Sequence, residues 1–186
     1  MEFNTFIKID KELELRSFEE RDAREIFEAV KANYEHLRPF LHWVTPEYSL
    51  DHAKEFIERT QKSLAEKTNQ TFGMFFGDKL IGAIGFVIFN WSSRRTEIGY
   101  WIDKGFEGQG IITGCCQHLV DYAFDTLEMN RIEIHCATEN IRSRAVPERL
   151  GFKLEGILRQ SEWRHTRFYD MAIYAMLAEE RKTVNR

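Results

Sequence analysis

The stretch WIDKGFEGQGIITG, residues 101–114, decides how the chain is expected to fold. Gly105, Gly108 and Gly110 fall within six positions, between an aromatic, strand-like segment and a run with helical spacing. The first N–H groups of a helix have no partner inside it, and the helix dipole adds partial positive charge there. Glycine lets an anion approach the backbone closely. The stretch therefore predicts a strand, an anion-binding turn and a helix in succession.

The glycine pattern excludes two common phosphate-binding loops. A P-loop continues with Lys and then Ser or Thr, whereas Gly110 is followed by Ile111 and Ile112. A dinucleotide fingerprint needs a further glycine where this chain has Thr113. On this stretch alone, a tight turn without any ligand stays open as the alternative.

Outward from this stretch, the hydrophobic periodicity predicts the element order βααβββαβαββ. Ser17 and Glu20 form a predicted capping box for the first helix. Pro147 lies inside the last predicted helix, 140–150, so we expect that helix to start late or to kink. The expected fold is α/β, of mixed α+β type, with a central and mostly antiparallel sheet flanked by helices. The main predicted strands are 71–76, 79–89, 95–102, 131–136, 152–163 and 167–177.

The composition indicates an ordinary soluble globular protein. The chain has 186 residues, 43% of them hydrophobic, and 26 basic residues against 30 acidic ones. We expect a single domain over residues 1–186 and no direct contact with nucleic acid, because a net charge of −4 does not support a phosphate-binding surface.

The sequence also indicates the compartment. The segment MEFNTFIKID does not resemble a signal peptide, and the longest apolar run, 80–89, is about half of the roughly 20 residues that a membrane helix needs. Cys115, Cys116 and Cys136 lack the spacing of a zinc site or a disulfide framework. We therefore predict a cytoplasmic protein without a metal and without a membrane partner.

Two motifs resemble those of a known family. Residues 107–112 (EGQGII) resemble the acyl-CoA pyrophosphate loop, Gln/Arg-x-x-Gly-x-Gly/Ala, of the GNAT superfamily of N-acetyltransferases. Residues 140–143 (NIRS) and 148–152 (ERLGF) resemble the N-x-x-S…E-x-x-G-F segment of the RimJ/RimL-like, ribosomal-protein Nα-acetyltransferase branch. The segment EIGYW, residues 97–101, is typical of the same branch. The resemblance covers essentially the whole chain.

The resemblance implies the GNAT acyl-CoA N-acyltransferase fold, with acetyl-CoA as co-substrate. This chain departs from the family pattern at Glu107 and at Ile112. An acid beside a pyrophosphate is repulsive, so Glu107 must turn away, be offset by a cation such as Lys104, or weaken CoA binding. The implied cofactor-binding residues are Gly108, Gln109, Gly110, Ile111, Ile112, Thr113 and Asn140.

Moving an acetyl group from a thioester to an amine requires a free amine and a protonated leaving thiol. Glu97 lies on the strand that leads to the glycine loop and is the candidate general base; a solvated strand glutamate is the alternative. Ser143 aligns with the hydroxyl that this branch places near the CoA sulfur, so it is the candidate proton donor; a helix cap is the alternative for Ser143 and also for Asn140.

Aromatic residues are the candidates for an acceptor slot. Tyr34, Phe40 and Trp43 lie near the end of the first helix, where core packing is the alternative. Buried structural thiols are expected at Cys115 and Cys116, since both lie on an apolar helical face. The histidines show no ligand spacing and are expected on the surface or in loops: His36, His42, His52, His118, His135 and His165.

The predicted function is transfer of an acetyl group from acetyl-CoA to a primary amine, above all the N-terminal α-amine of a ribosomal protein. The alternatives are a small amine, such as a polyamine or an antibiotic, and a CoA-binding module without catalysis. An α-amine is favoured because Glu97 has no predicted histidine partner and so is expected to be a weak base. Homo-oligomerisation is left open.

Overall fold

The computed structural model describes residues 3–181, so the predicted domain, residues 1–186, extends beyond the described part at both ends. The strands are β1 (Phe6–Lys8), β2 (Leu13–Ser17), β3 (Gln70–Phe76), β4 (Lys79–Asn90), β5 (Arg95–Ile102), β6 (Arg131–Ala137), β7 (Lys153–Arg164) and β8 (Arg167–Leu177). The helices are α1 (Ala23–Ala32), α2 (Tyr34–Leu37), α3 (Leu50–Glu66), α4 (Ile111–Asp121), α5 (Ile141–Arg149) and α6 (Ala178–Arg181).

The strands form one eight-stranded sheet in the order β1-β2-β3-β4-β5-β6-β8-β7. Every neighbouring pair is antiparallel except β5 and β6, which are parallel. The predicted mixed α+β class with a mostly antiparallel sheet is therefore confirmed. The predicted strand bounds lie within one residue of the observed ones, because each of these strands is long and strongly patterned.

Helices cover both faces of the sheet. Successive side chains of a strand point to opposite faces, so a strand with apolar residues at consecutive positions has two faces to bury. On β3, Phe72 and Met74 join the larger core cluster, which also contains the buried side of α4. Phe75 joins a second cluster formed with α1 and α3. The two clusters are here called the α4 face and the α1–α3 face.

Three local features differ from the predictions. The strand β1 was not predicted, because three half-exposed residues carry no measurable period. The capping box at Ser17 does not form: Ser17 ends β2, and its buried hydroxyl has no hydrogen-bond partner within residues 3–181. Asp22 acts there instead, and its Oδ2 accepts the Glu19 backbone N–H at 2.8 Å. Finally, α5 does not start late, since it spans Ile141–Arg149 with Pro147 inside it, and a kink at Pro147 stays a prediction.

Candidate active site

Within residues 3–181, the sheet opens at its single parallel pairing, between β5 and β6. Among the described residues, β5 and β6 are paired at three positions, which end at Glu97 opposite Glu133. Beyond that point β5 continues to Ile102 and β6 to Ala137 without a shared ladder. The unpaired interval is here called the β5–β6 gap. It lies in the middle of the sheet, between the glycine loop that follows β5 and the helix α5 that follows β6.

The glycine loop has the backbone shape that its sequence predicts. Gly108 and Gly110 have φ values of 74° and 78°, in the left-handed region that favours glycine. A Cβ added at either residue would meet no described atom within 4 Å, so the space above the loop is open. Gly110 is the N-cap of α4, and the first hydrogen bond of that helix runs from Gly114 N–H to Gly110 O at 2.9 Å. The preceding N–H groups are therefore available to an anion.

Glu107 is offset by two groups, and neither of them is the predicted Lys104. Its carboxylate forms an ion pair with Arg142 at the start of α5. Its other oxygen lies 3.3 Å from His36 Nε2 on α2. The acid is therefore held by α5 and α2, which ties the glycine loop to both helices.

A second cation reaches the same helix terminus. Arg149 Nη1 donates to Thr113 Oγ1 in the first turn of α4 at 2.7 Å. The N-terminus of α4 thus has the guanidinium groups of Arg142 and Arg149 beside it. Together with the open glycine backbone, these groups fit the negatively charged pyrophosphate of a coenzyme A. Ile112 packs its side chain against the core cluster of the α4 face, as predicted.

Ser143 lies in a cluster of three polar side chains on the α4 face. Ser143 Oγ donates to Tyr100 Oη at 3.2 Å, and Cys136 Sγ lies 3.2 Å from the same Oγ. Burial raises the pKa of the Cys136 thiol to about 11, so this thiol is protonated at neutral pH and is the donor to Ser143. Burial likewise raises the pKa of Tyr100 well above its ordinary value. The Ser143 hydroxyl is therefore fixed between two neutral groups.

Asn140, and not Ser143, caps α5. Asn140 Oδ1 accepts the Ser143 backbone N–H at 3.1 Å, which is the ordinary arrangement of an N-cap. The helix-cap alternative therefore describes Asn140, while the Ser143 hydroxyl is directed to Tyr100. Contact of Asn140 with CoA stays a prediction.

Pro147 explains why Tyr100 can bond to α5. In a helix, the N–H of residue 147 would donate to the carbonyl of Ser143, but proline has no N–H. Tyr100 Oη donates to that carbonyl instead, at 3.0 Å. The tyrosine proton is therefore held by the Ser143 carbonyl, and the tyrosine oxygen is left to accept from the Ser143 hydroxyl. A residue that is costly in a helix here sets the orientation of the cluster.

Glu97 lies on the opposite face, at the start of the gap. Its side chain is 25% exposed, and His135 Nδ1 lies 3.5 Å from Glu97 Oε2. Burial raises the pKa of Glu97, and the nearby acids Glu133 and Glu162 raise it further, against the lowering effects of His135 and Arg95. Glu97 is therefore half-buried beside charged groups rather than fully solvated, and its role as the general base stays a prediction.

His135 overturns two predictions. It lies in β6, with its side chain 25% exposed, rather than in a loop or on an open surface. It also gives Glu97 the histidine neighbour that the sequence did not predict. The contact depends on the β5–β6 register, which joins residues far apart in the sequence. Strand alternation was the available signal, because it places Glu133 and His135 on one face of β6.

The predicted slot residues lie in two places. Trp43 packs against Trp101 of β5, with ring centroids 6.4 Å apart, and Trp101 shares the face of Glu97 by strand alternation. Tyr34 packs against the same core cluster as Trp43. Phe40 packs against a separate small cluster that contains Ala137, the last residue of β6. All three are partly buried, and Tyr34 and Trp43 combine core packing with a position on the α1–α3 face. An acceptor slot stays a prediction.

The remaining cysteines are structural, as predicted. Cys115 and Cys116 are fully buried in the core. Burial raises the pKa of Cys115 to about 12 and that of Cys116 well above its ordinary value, so neither thiol is a nucleophile at neutral pH.

The described residues offer neither a metal site nor a membrane-spanning helix. Residues 3–181 contain no group of three or more His, Cys, Asp or Glu side chains arranged to hold a metal ion. Across the same residues, no helix combines the length and the apolar character that crossing a membrane would require.

Comparison with known proteins identifies the family. The model of the acetyltransferase (GNAT) domain matches residues 12–153. The relative named "Putative ribosomal N-acetyltransferase YdaF", from Bacillus subtilis (strain 168), is 35% identical over 174 residues, which are 93% of this chain and 95% of the relative. The ribosomal-protein-serine acetyltransferase of Escherichia coli (strain K12) is 30% identical over 173 residues, covering 93% of this chain and 97% of the relative.

A solved structure agrees with these relatives. The ribosomal L7/L12 alpha-N-protein acetyltransferase RimL, in complex with coenzyme A, superimposes with a TM-score of 0.89 at 25% identity. The match covers 94% of this chain and 99% of that one.

The open sheet, the glycine loop and these matches define a GNAT-fold enzyme that transfers an acetyl group from acetyl-CoA to an amine. The chain belongs to the GNAT acetyltransferase family, in its RimJ/RimL-like branch.

Proposed function

We propose that this enzyme acetylates the N-terminal α-amine of a ribosomal protein. The observation that carries the proposal is the position of Glu97, at the point where the β5–β6 pairing ends. Its carboxylate shares a sheet face with Trp101, against which Trp43 packs. The acceptor class is supported by the names of the relatives from B. subtilis and E. coli, each matched over more than nine-tenths of its length.

Several residues would hold acetyl-CoA. The backbone N–H groups of 110–113 would bind the pyrophosphate, with Gly108 and Gln109 completing the loop. Arg149 would add positive charge, while Arg142 would offset the charge of Glu107. When bound, acetyl-CoA supplies an acetyl group activated as a thioester.

The two proposed catalytic side chains approach the gap from opposite faces. Glu97, on the α1–α3 face, would take a proton from the acceptor ammonium and leave the amine nitrogen with a free electron pair. Ser143, on the α4 face, would hold a proton at Oγ for the leaving sulfur. The net reaction releases one proton to solvent, because a cationic ammonium becomes a neutral amide while the coenzyme leaves as a thiol.

Further expectations follow for the whole protein. The proposed acceptor favours a cytoplasmic location, where ribosomes are. A single domain over residues 1–186 stays a proposal, and homo-oligomerisation stays open. That nucleic acid and membranes are not direct partners is still a prediction from composition.

Two peptides of one sequence test the acceptor class: one with a free N-terminus and a blocked lysine, the other with the reverse. At pH 7 an α-amine with a pKa of about 7.8 is about one-seventh unprotonated, whereas a lysine amine with a pKa of about 10.4 is free about four times in ten thousand. We expect faster acetylation of the N-terminal peptide, measured by mass spectrometry. Faster acetylation of the lysine peptide would contradict the proposal.

Small amines form the control arm of the same experiment. If spermidine or an aminoglycoside is acetylated while both peptides are not, the small-amine alternative replaces the proposal. If no amine causes release of free CoA, the non-catalytic alternative replaces it.

A further inference from the structure

One histidine ring is held between two carboxylates on the face that carries Glu97. His135 Nδ1 lies 3.5 Å from Glu97 Oε2, and His135 Nε2 lies 2.8 Å from Glu133 Oε2. The sheet produces this arrangement: Glu97 and Glu133 are register partners, and His135 follows Glu133 by two residues on the same face. These three side chains are here called the Glu97–His135–Glu133 array.

Glu133 is the fixed end of the array. It is 5% exposed and accepts from Arg131 Nε at 2.7 Å and from Arg95 Nη1 at 3.2 Å. Burial by itself would raise the pKa of Glu133, but hydrogen bonds from Arg131, His135 and Arg95 hold it below its ordinary value. Glu133 is therefore ionised at neutral pH and can only accept hydrogen bonds. It follows that the ring nitrogen facing it, His135 Nε2, carries a proton.

That proton determines what the ring presents to Glu97. In a neutral imidazole only one nitrogen carries hydrogen, so Nδ1 directs a lone pair at Glu97 Oε2. Two acceptors facing each other repel until a proton lies between them. Uptake of one proton by the pair of Glu97 and His135 turns this repulsion into attraction. The pair is consequently a stronger proton acceptor than an isolated carboxylate.

We propose that His135 is a positioning residue that acts through Glu97, and that the two share the proton removed from the acceptor amine. The proposal rests on the proposed function, in which Glu97 is the base. An N–H bond of the acceptor ammonium breaks, and its proton comes to lie between Glu97 Oε2 and His135 Nδ1. The nitrogen keeps the electron pair and forms the amide C–N bond, while the C–S bond breaks and its electron pair leaves with sulfur. The sulfur takes the proton held at Ser143 Oγ, and a second N–H bond breaks to supply the proton that replaces it. Loss of the proton to solvent restores the pair.

The charges around the pair determine how it titrates. Glu97 is faced by His135 and Glu133 from β6, by Glu162 from β7 and by Arg95 on its own strand. Because a charged His135 lowers the pKa of Glu97, the pair takes up its two protons in separate steps. We therefore expect the pair to take up its first proton at a higher pH than an isolated glutamate, which titrates near pH 4.3, roughly.

The first test measures kcat against pH for the wild type and for His135→Gln. Glutamine retains a donor for Glu133 but removes the basic nitrogen. The quantity must be kcat at saturating acetyl-CoA and acceptor, since it reports the complex rather than the free amine. We expect the acid limb to move to lower pH by about one unit or more and the plateau to fall about tenfold. The affinity for acetyl-CoA should not change.

The matched control is His118→Gln. His118 lies on α4, where its ring bonds to the Gly114 carbonyl at 3.0 Å. Its pH profile should match that of the wild type. An unchanged acid limb in His135→Gln would overturn the proposal. So would a shift to higher pH, because His135 would then act only by lowering the pKa of Glu97 through its charge.

Glu97→Gln separates this proposal from the proposed function. Suppose that kcat falls at least about 100-fold in Glu97→Gln while the kcat and pH profile of His135→Gln match those of the wild type. Glu97 would then remain the base, and only the role proposed for His135 would be rejected. Wild-type turnover and pH profile in Glu97→Gln would remove Glu97 as the base, and the inference on His135 with it.

The second test does not depend on turnover. Ring-nitrogen NMR of the free protein, with the His135 signals assigned by their loss in His135→Gln, reports which nitrogen carries the proton when the ring is neutral. We expect the proton on Nε2, and we expect this preference to be lost in Glu133→Gln. A wild-type ring protonated on Nδ1 would overturn the proposal, because Glu97 would then meet a donor.

Discussion

Ser143 takes its chemical environment from side chains on two different strands. Tyr100 Oη of β5 accepts a hydrogen bond from the Ser143 hydroxyl, and Cys136 Sγ of β6 lies beside the Ser143 oxygen. Since the two strands flank the gap, the hydroxyl is placed where the strands separate, while its own backbone N–H is used by the Asn140 cap. The Asn140 cap therefore positions the Ser143 backbone, while the two strands bond to its hydroxyl.

Ser143→Ala is expected to lower kcat by about tenfold or more and to leave the affinity for acetyl-CoA unchanged. The reason is that the hydroxyl is proposed to act on the leaving sulfur rather than on binding. Steady-state kinetics and calorimetry measure the two quantities. Ser63→Ala, a helical serine of α3, is the matched control and should behave as the wild type. Equal turnover in Ser143→Ala would remove the residue from the chemistry.

Gly110→Glu is expected to weaken acetyl-CoA binding by about 100-fold or more, because it places negative charge and bulk at the anion site. Gly77→Glu is a matched control. Gly77 also has a left-handed backbone, with φ of 58°, and open space at its Cβ, but it lies in the turn between β3 and β4. Both variants carry about 1–2 kcal/mol of backbone strain, so thermal unfolding should shift similarly in the two. Equal affinities for acetyl-CoA would move the site away from the loop.

At the scale of the element, α5 carries an irregularity that the site uses. Pro147 cannot donate to the Ser143 carbonyl, and Tyr100 donates there instead. A regular helix in the same place would satisfy its own carbonyl and compete with the tyrosine. The cost of proline in the helix is therefore linked to the geometry of Ser143.

Pro147→Ala is expected to lower kcat several-fold while thermal stability stays equal or rises. The new backbone N–H would bond to the Ser143 carbonyl and compete with Tyr100, and alanine also has the higher helix propensity. Kinetics and thermal unfolding of the single variants and of the double variant with Tyr100→Phe provide the measurement. In the Tyr100→Phe background, Pro147→Ala should change kcat by less than about twofold; a full effect there would show that proline acts by another route.

Helices and strands could be predicted from the sequence because their residue patterns are local. Side-chain contacts between elements that are distant in sequence could not be predicted. The spacing of apolar residues along β4 and β8 determines strands whatever their partners, and the glycines of the loop require a left-handed turn. By contrast, the meeting of Glu97 with His135 depends on the register of two strands that are distant in sequence. The role of Pro147 likewise depends on a tyrosine from another element. Its local cost alone predicted a late start or a kink, and the late start does not occur.

At the scale of the whole molecule, Glu97 and Glu133 make opposite contributions to the pH dependence of folding stability. Burial raises the pKa of Glu97 in the folded chain, so the ionised form opposes folding at neutral pH. Glu133, although buried, has a lowered pKa because Arg131, His135 and Arg95 bond to it, so its ionised form favours folding. The same face thus contains a residue that costs stability and one that supplies it.

Thermal unfolding between pH 4 and pH 8, roughly, tests these signs with Glu97→Gln and Glu133→Gln. Glu97→Gln should raise Tm at neutral pH, and the gain should vanish as the pH falls below the unfolded-state value of about 4.3. Glu133→Gln should lower Tm at neutral pH, with a loss that shrinks as the pH falls through the folded-state pKa. About 1 kcal/mol moves Tm by about 2–4 °C in a domain of this size. A neutral-pH Tm for Glu97→Gln below that of the wild type would contradict the first sign.

Within residues 3–181, the ladder that joins strands β1–β5 to strands β6–β8 has three residue positions. We expect this short ladder to let the two parts of the sheet open separately, although both contribute to the core of the α4 face. Amide hydrogen exchange should therefore show two protection levels, with the amides of β5 beyond Glu97 exchanging faster than those at the centre of β3 and β4. A ligand seated across the gap would supply the missing connection and slow exchange in both parts of the sheet together. The opening that admits the substrate would then also determine how the free enzyme begins to unfold.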